Sequence, residues 1–160
     1  MATEMKALYP GSFDPPHRGH LDIIRRAAAQ LSQVLVGVAV NPAKRPALSD
    51  ERRIALLREL CADLSNVSII AYHGATVSFA KAHGCTVLVR GLRNAADLDA
   101  ESGMAHVNRA NGLETLLLIA DVQYQHLSSR LVKQVAAAGL PLEALVPPSV
   151  AHALMHNAIG

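Results

Sequence analysis

Tryptophan is absent from this chain, and three tyrosines and two phenylalanines are its only aromatic residues besides histidine. With 51% of its 160 residues apolar, a core must be assembled from Ala, Val, Leu and Ile, a set that suits helices packed against a parallel sheet. Cysteine is nearly absent too. Cys61 and Cys85 stand apart with no CxxC spacing, which excludes a disulfide scaffold and leaves two thiols to pack as small hydrophobes. No apolar run approaches the roughly 20 residues that span a bilayer. The start of the chain, with Glu4 and an early Pro10, lacks the basic and long apolar regions of a secretory signal. Charge of one sign is not in excess either: the net charge is +2, the pI is near 8.7, and Lys and Arg are dispersed, which argues against a nucleic-acid-binding tail. A soluble cytoplasmic protein is expected, with a small, locally bound anionic ligand and no membrane or nucleic-acid partner.

What is present is an alternation. Short apolar runs at 6–9, 34–40, 67–71, 86–89 and 115–120 read as buried strands, and amphipathic segments separate them. Apolar residues recur at helical spacing over 21–31. Ser49 can cap a helix running to about 64, with Ile54, Leu56, Leu57, Leu60 and Leu64 toward its inner side. Further helices are expected over 77–83, over 94–111 stopped by Gly112, over 128–138 ended by Gly139 and Pro141, and over 149–157 after Pro147 and Pro148. Strands alternating with helices predict right-handed parallel βαβ units. The expected architecture is α/β: a doubly wound five-stranded parallel sheet with helices on both faces, in a single domain over 1–160. Ligands of such sheets bind beyond the carboxyl ends of the strands. Four polar clusters fall there, at 12–20, 41–45, 90–93 and 124–130.

The richest of them lies within Tyr9-Pro-Gly-Ser-Phe-Asp-Pro-Pro-His-Arg-Gly-His20. Gly11 and Ser12 lack bulk, so the backbone can approach a phosphate, and the helix that follows is expected to offer unpaired N–H groups at its start. Neither GxxxxGK[ST] nor GxGxxG occurs, so a nucleotide would be held by another arrangement. His17 and His20, three apart at a helix start, can face one ligand. By themselves they read equally as a helix cap or a surface pair, and as a metal pair they lack a third ligand.

Pro10-Gly-Ser-Phe-Asp-Pro15 followed by His17-Arg-Gly-His20 resembles the HxGH motif of the nucleotidyltransferase superfamily related to class I aminoacyl-tRNA synthetases. Leu127-Ser128-Ser129-Arg130-Leu131-Val132-Lys133 resembles that superfamily's ISSS-type segment. The middle of the chain, Val89-Arg90-Gly91-Leu92-Arg93 with Glu101, His106, Asn108 and Arg109, is similar to the phosphopantetheine adenylyltransferase family, and the resemblance covers nearly the whole chain. It implies a Rossmann-like enzyme that joins ATP to 4'-phosphopantetheine, giving dephospho-CoA and pyrophosphate in the penultimate step of coenzyme A synthesis. It also implies in-line attack with no covalent intermediate.

The same resemblance implies roles. His20 would stabilise charge at the α-phosphate, Lys44 would hold the acceptor phosphate and the reacting phosphate together, and Arg93 would take the β- and γ-phosphates. Ser12, Lys44, Thr76 and Arg90 would contact phosphopantetheine. Ser12, Phe13, His17, His20, Gly91, Leu92, Arg93, Glu101, Tyr124, Gln125, His126, Leu127, Ser128, Ser129 and Arg130 would surround ATP. Mg²⁺ would arrive with ATP and need few protein ligands, so none is assigned. A homohexamer is implied, with CoA as a candidate feedback ligand. Three positions depart from the family's habit: His17 stands where Thr is more usual, Thr76 beside Ala75 makes the pantetheine wall smaller and more polar, and Arg130 replaces Ser or Thr. The HxGH pair alone leaves a nicotinate-mononucleotide adenylyltransferase or a cytidylyltransferase open, and the 90–93 segment and chain length select phosphopantetheine. Outside the family, Lys44, Arg45, Glu101, Asn108 and Arg109 would read as solvated or helix-end polar residues. An inactive nucleotide- or CoA-binding sensor is the alternative of another class, opposed by the intact His20, Lys44, Arg90 and Arg93.

Overall fold

The computed structural model describes residues 4–157. In chain order its elements are β1 (Lys6–Gly11), α1 (Arg18–Gln30), β2 (Gln33–Ala39), α2 (Asp50–Leu60), β3 (Val67–Tyr72), α3 (Thr76–Ala82), β4 (Val87–Leu92), α4 (Ala95–Ala110), β5 (Glu114–Ile119), a 3-10 turn (Val122–Tyr124), α5 (Ser129–Ala137) and α6 (Pro148–Asn157). All strand pairs are parallel, in the order β3-β2-β1-β4-β5. The chain winds outward from β1 to β3, crosses back through α3 to β4 on the other side of β1, and continues to β5. Connections therefore leave β1 and β4 in opposite directions, the arrangement that opens a crevice at the carboxyl ends.

Register sharpens that crevice. β1 follows β2 as far as Gly11 opposite Val38, and β4 follows β5 as far as Leu92 opposite Ile119. Between β1 and β4, pairing is confined to Ala7 with Val87 and Leu8 with Leu88. Beyond those residues the two central strands separate.

Alternation along the strands divides the core. Ala7, Tyr9, Val34, Val36, Val38, Val87 and Val89 face α1 and α2, where they meet Ile23, Ile24, Ala27 and Leu57. Leu8, Leu35 and Leu88 face the other way, onto Ala80, Cys85 and Leu113. A third cluster joins α5 and α6 to Leu48 and Leu56. Helices thus cover both faces, unevenly: α4 buries only Asn108, and no residue of β5 is fully buried. Cys61 and Cys85 are buried and free, and burial pushes the Cys61 thiol up to about 11.

Two helix limits differ from the sequence pattern. α1 begins at Arg18, ahead of its apolar stripe, because the His17 side chain caps it. α2 stops at Leu60 instead of running to 64. Leu64 N donates to Cys61 O at 2.9 Å, closing a turn. Asn66 then reaches back to Ala28 O and Leu31 O at 2.8 and 3.0 Å, fixing the entry to β3. The 3-10 turn had no apolar pattern to announce it; the Asp121 side chain accepts from Gln123 N and starts it.

Gly37 in β2 leaves room that its neighbours use: a Cβ there would stand 2.8 Å from Leu8 Cδ1 and 3.1 Å from the Tyr72 ring. Replacing a strand glycine by alanine ordinarily gains a few tenths of a kcal/mol or more through the unfolded chain. Here the sign should reverse. Gly37→Ala is expected to lose about 1–3 kcal/mol by overpacking, seen as a lower urea midpoint at unchanged slope.

Candidate active site

The crevice between β1 and β4 holds a cavity of about 310 Å³. Its walls come from the end of β1 (Tyr9, Pro10, Gly11) with Ser12 and Phe13, the start of α1 (His17, Gly19, His20, Ile23), the end of β4 with its following loop (Arg90, Gly91, Arg93), and Ala120, Tyr124, Leu127, Ser128 and Ser129.

Phe13 sits in the left-handed region, with φ of 48°. That conformation costs a bulky residue ~1–2 kcal/mol, and burying the ring, which is 1% exposed, offsets it by ~1.5–3 kcal/mol. The ring folds over Gly11, where a Cβ would stand 3.1 Å from it, and meets Tyr9 and His20 edge-on at 5.4 and 4.9 Å. The Phe13 ring therefore favours glycine at position 11, since an added Cβ would press on it.

The two histidines are locked by the helix start. His17 Nδ1 accepts from Gly19 N at 3.1 Å and His20 N at 3.3 Å, while His20 Nδ1 accepts from His17 N at 3.1 Å. A nitrogen that accepts carries no proton, so each neutral ring holds its hydrogen on Nε2. The rings stack at 3.6 Å. Burial and then Arg93 push His17 down to about 4, and burial, followed by His17, Arg90 and Arg93, holds His20 well below the usual imidazole range. Both act as neutral donors near pH 7.

The expected free amides at the start of α1 are already taken. Arg18 N donates to Leu145 O at 3.0 Å, and those of Gly19 and His20 go to His17. This corrects the sequence expectation of an anion-binding N-terminus there: a histidine cap consumes the donors. α5 behaves differently. Ser128 Oγ accepts from Leu131 N at 3.0 Å and Ser129 Oγ donates to Pro15 O at 2.9 Å, and the amides of Ser129 and Arg130 find no acceptor among the described residues. The helix that opens its N-terminus to an anion is α5.

Two arginines face this helix start across the crevice. Arg93 Nε and Nη2 hold Asp97 at 3.0 and 3.2 Å, and Nη1 donates to Leu127 O at 3.2 Å. The Arg93 guanidinium in turn holds the Asp97 carboxyl below the usual range. Arg90 grips Glu101 at 2.7–3.0 Å and donates through Nη1 to Pro10 O at 3.0 Å. Of the five N–H donors on each guanidinium, some remain for a ligand.

Of the residues singled out from sequence, Ser12, Phe13, His17, His20, Arg90, Gly91, Arg93, Tyr124, Leu127, Ser128 and Ser129 line the cavity. Glu101 lies behind Arg90 as its ion partner, and Leu92 is buried in β4. Gln125, His126 and Arg130 are exposed outside the lining, and Lys44 and Arg45 are on the exposed turn after β2. Thr76 starts α3 with its hydroxyl 2.9 Å from that of Tyr72. His106 is exposed, Asn108 donates to Thr115 Oγ1 at 3.1 Å, and Arg109 pairs with Glu114. Tyr9, Pro10, Gly11 and Gly19, within the motif but given no ligand contact from sequence, complete the wall with Ile23 and Ala120, which the motifs do not reach, and Asp97 stands behind Arg93. The four-residue spacing from Arg93 to Asp97 was a readable signal for that ion pair.

A model of the cytidylyltransferase-like family matches residues 8–135. The chain is 45% identical over 152 residues to a phosphopantetheine adenylyltransferase of Symbiobacterium thermophilum, covering 94% of each. It is 48% identical over 152 residues to a phosphopantetheine adenylyltransferase of Synechococcus sp. (strain JA-3-3Ab), covering 94% of this chain and 96% of the relative. Among solved structures, a protein provisionally named nicotinate-nucleotide adenylyltransferase from Vibrio parahaemolyticus aligns with a TM-score of 0.72 over 96% of this chain and 93% of that one. At 17% identity that likeness is one of fold.

The buried imidazoles tie stability to pH. Between pH 6.5 and about 4 the unfolded chain binds protons that His17 in the folded protein refuses, so stability rises with pH across that window and is lost as pH falls. The slope should reach ~1.4 kcal/mol per pH unit for each such histidine. Urea denaturation between pH 7 and 4.5 reads it, and His17→Asn, which keeps a cap acceptor, should flatten the slope by roughly half relative to the two-histidine limit.

Proposed function

Because this chain belongs to the phosphopantetheine adenylyltransferases of the cytidylyltransferase-like family, we propose that it transfers the adenylyl group of ATP to 4'-phosphopantetheine, giving dephospho-CoA and pyrophosphate. One observation carries the mechanism: two neutral Nε2–H donors, two arginines and the open N-terminus of α5 converge on one cavity that offers no uncommitted carboxylate. Such a site aligns and stabilises phosphates without forming a covalent intermediate.

A phosphate oxygen of the acceptor forms a new bond to the α-phosphorus as the bond to the β-phosphate oxygen breaks, in line. His20 donates from Nε2 to the α-phosphate, where negative charge grows in the transition state. Arg93 and the amides of Ser129 and Arg130 receive the β- and γ-phosphates that leave as pyrophosphate. Ser12, Arg90 and Lys44 take the acceptor phosphate, with Lys44 as a compact point charge reaching in from its turn; Thr76 faces the pantetheine arm. Phe13, His17, Gly91, Leu92, Glu101, Tyr124, Gln125, His126, Leu127 and Ser128 shape and support the ATP side.

The nucleotide substrate is MgATP. Asp97 and Glu101 are committed to Arg93 and Arg90, and no group of three or more His, Cys, Asp or Glu among the described residues could hold an ion. That donor set fits an ion carried on the phosphates, which would neutralise the leaving pyrophosphate. CoA, which shares the pantetheine arm and the adenine, is a candidate ligand of the same cleft. A cytoplasmic setting suits two unbridged thiols; no helix among the described residues is long and apolar enough to cross a membrane. Self-association, as a homohexamer by family pattern, would cover apolar side chains left 46–81% exposed on α4 (Leu98, Met104, Val107), at the end of β5 (Ile119) and in the turn after it (Val122).

Pyrophosphate release from the purified chain with MgATP should require phosphopantetheine and fail with nicotinate mononucleotide; the opposite preference would overturn the acceptor assignment. His20→Ala should lower kcat by roughly 10²-fold or more while ATP still binds, as loss of a transition-state donor does. Met104→Glu should shift the protein to smaller species in light scattering, and an unchanged mass would remove the α4 face from the assembly.

A further inference from the structure

Lys44 hangs on the connection between β2 and α2, and every residue from 41 to 46 is exposed. An exposed loop does not by itself hold an ammonium in one place. Both feet of this loop are pinned, and both pins lead to the segment after β1. At the far foot, Asp14, 7% exposed, accepts from Ala47 N and Leu48 N at 2.9 Å each. Lys133 approaches the same carboxylate at 3.7 Å.

The second pin is Arg53, 3% exposed although it lies in the charged start of α2. Its Nε donates to Leu48 O at 3.2 Å and its Nη1 reaches Ala39 O, at the near foot, at 3.5 Å. The same Nη1 donates to Ser12 O, and Nη2 pairs with Asp50. One buried guanidinium thus ties together the end of β2, the start of α2 and the loop that carries Ser12. Only the planar fork of arginine presents donors in these diverging directions; a lysine ammonium is too compact to bridge them. An apolar side chain would strand the carbonyls of Ser12 and Leu48 without partners.

We infer that Arg53 and Asp14 are positioning residues: they fix the span between the Ser12 loop and the Lys44 turn, so that hydroxyl and ammonium meet one acceptor phosphate. This rests on the reading of Ser12 and Lys44 as acceptor ligands. Neither Arg53 nor Asp14 lines the cavity, so each acts through the groups it holds.

The test compares the full chain with Arg53→Lys, Asp14→Asn, Lys44→Ala and the Arg53→Lys/Lys44→Ala double variant, varying phosphopantetheine and MgATP separately and recording thermal midpoints. Arg53→Lys and Asp14→Asn should each raise the phosphopantetheine KM and lower kcat, together by about tenfold or more as misplaced reactants do, with the ATP KM within about twofold. The double variant should lose clearly less than the product of the two single losses, because part of what Arg53 holds in place is the Lys44 contact. Losses that fall equally on both substrates, or that multiply in the double variant, would overturn the inference and leave a brace for the fold alone. If Arg53→Lys does not fold, Asp14→Asn and its double variant with Lys44→Ala make the same comparison. A wild-type chain that does not turn over phosphopantetheine refutes the underlying substrate reading; a competent wild type with unaltered Arg53→Lys and Asp14→Asn kinetics refutes only the positioning role.

Discussion

The separation of β1 from β4 beyond Leu8 and Leu88 is the constraint around which the site is arranged. Two neighbouring central strands that stop pairing leave backbone groups in need of partners. Arg90, from the separated end of β4, reaches across and gives the carbonyl of Pro10 a donor. Glu101 in α4 then neutralises and orients the guanidinium. The cleft and the cation within it are thus consequences of one another: without Arg90 the gap would hold an orphaned carbonyl, and without the gap Arg90 would have no room.

The same economy governs the two helices that point into the cleft. α1 closes its own N-terminus with imidazole acceptors and offers Nε2–H groups in place of amides; α5 caps one amide with Ser128 and leaves two open. One helix presents rigid side-chain donors set by a cap, the other presents backbone. His17 and His20 owe their tautomer to the helix start and not to a neighbouring carboxylate, so the orientation of both donors is secured by the local fold.

Much of this was legible from residue order. Five apolar runs separated by amphipathic stretches identified the strands, and small residues and histidines after the first run marked the crevice. What escaped were features decided by three-dimensional competition for donors. The start of α1 read as an anion site although His17 also read as a helix cap, because residue order does not say that the cap would take the Gly19 and His20 amides. The end of α2 was hidden because residues 61–64 continue an apolar stripe while their backbone closes a turn. Arg53, in a run of charged residues, looks like a solvated helix face; its burial depends on three carbonyls brought together from separate segments. Lys44 was assigned to a phosphate only through family likeness, since nothing local distinguishes it from any other loop lysine.

The pairing of each cleft arginine with its own carboxylate has a further effect. With Arg90 matched to Glu101 and Arg93 to Asp97, both cleft guanidiniums carry their counter-charges with them. Attraction at a distance is consequently weak, and a polyanion gains little merely by approaching. Recognition at these two arginines is therefore set at short range, by the directions of the N–H bonds that their carboxylates leave free.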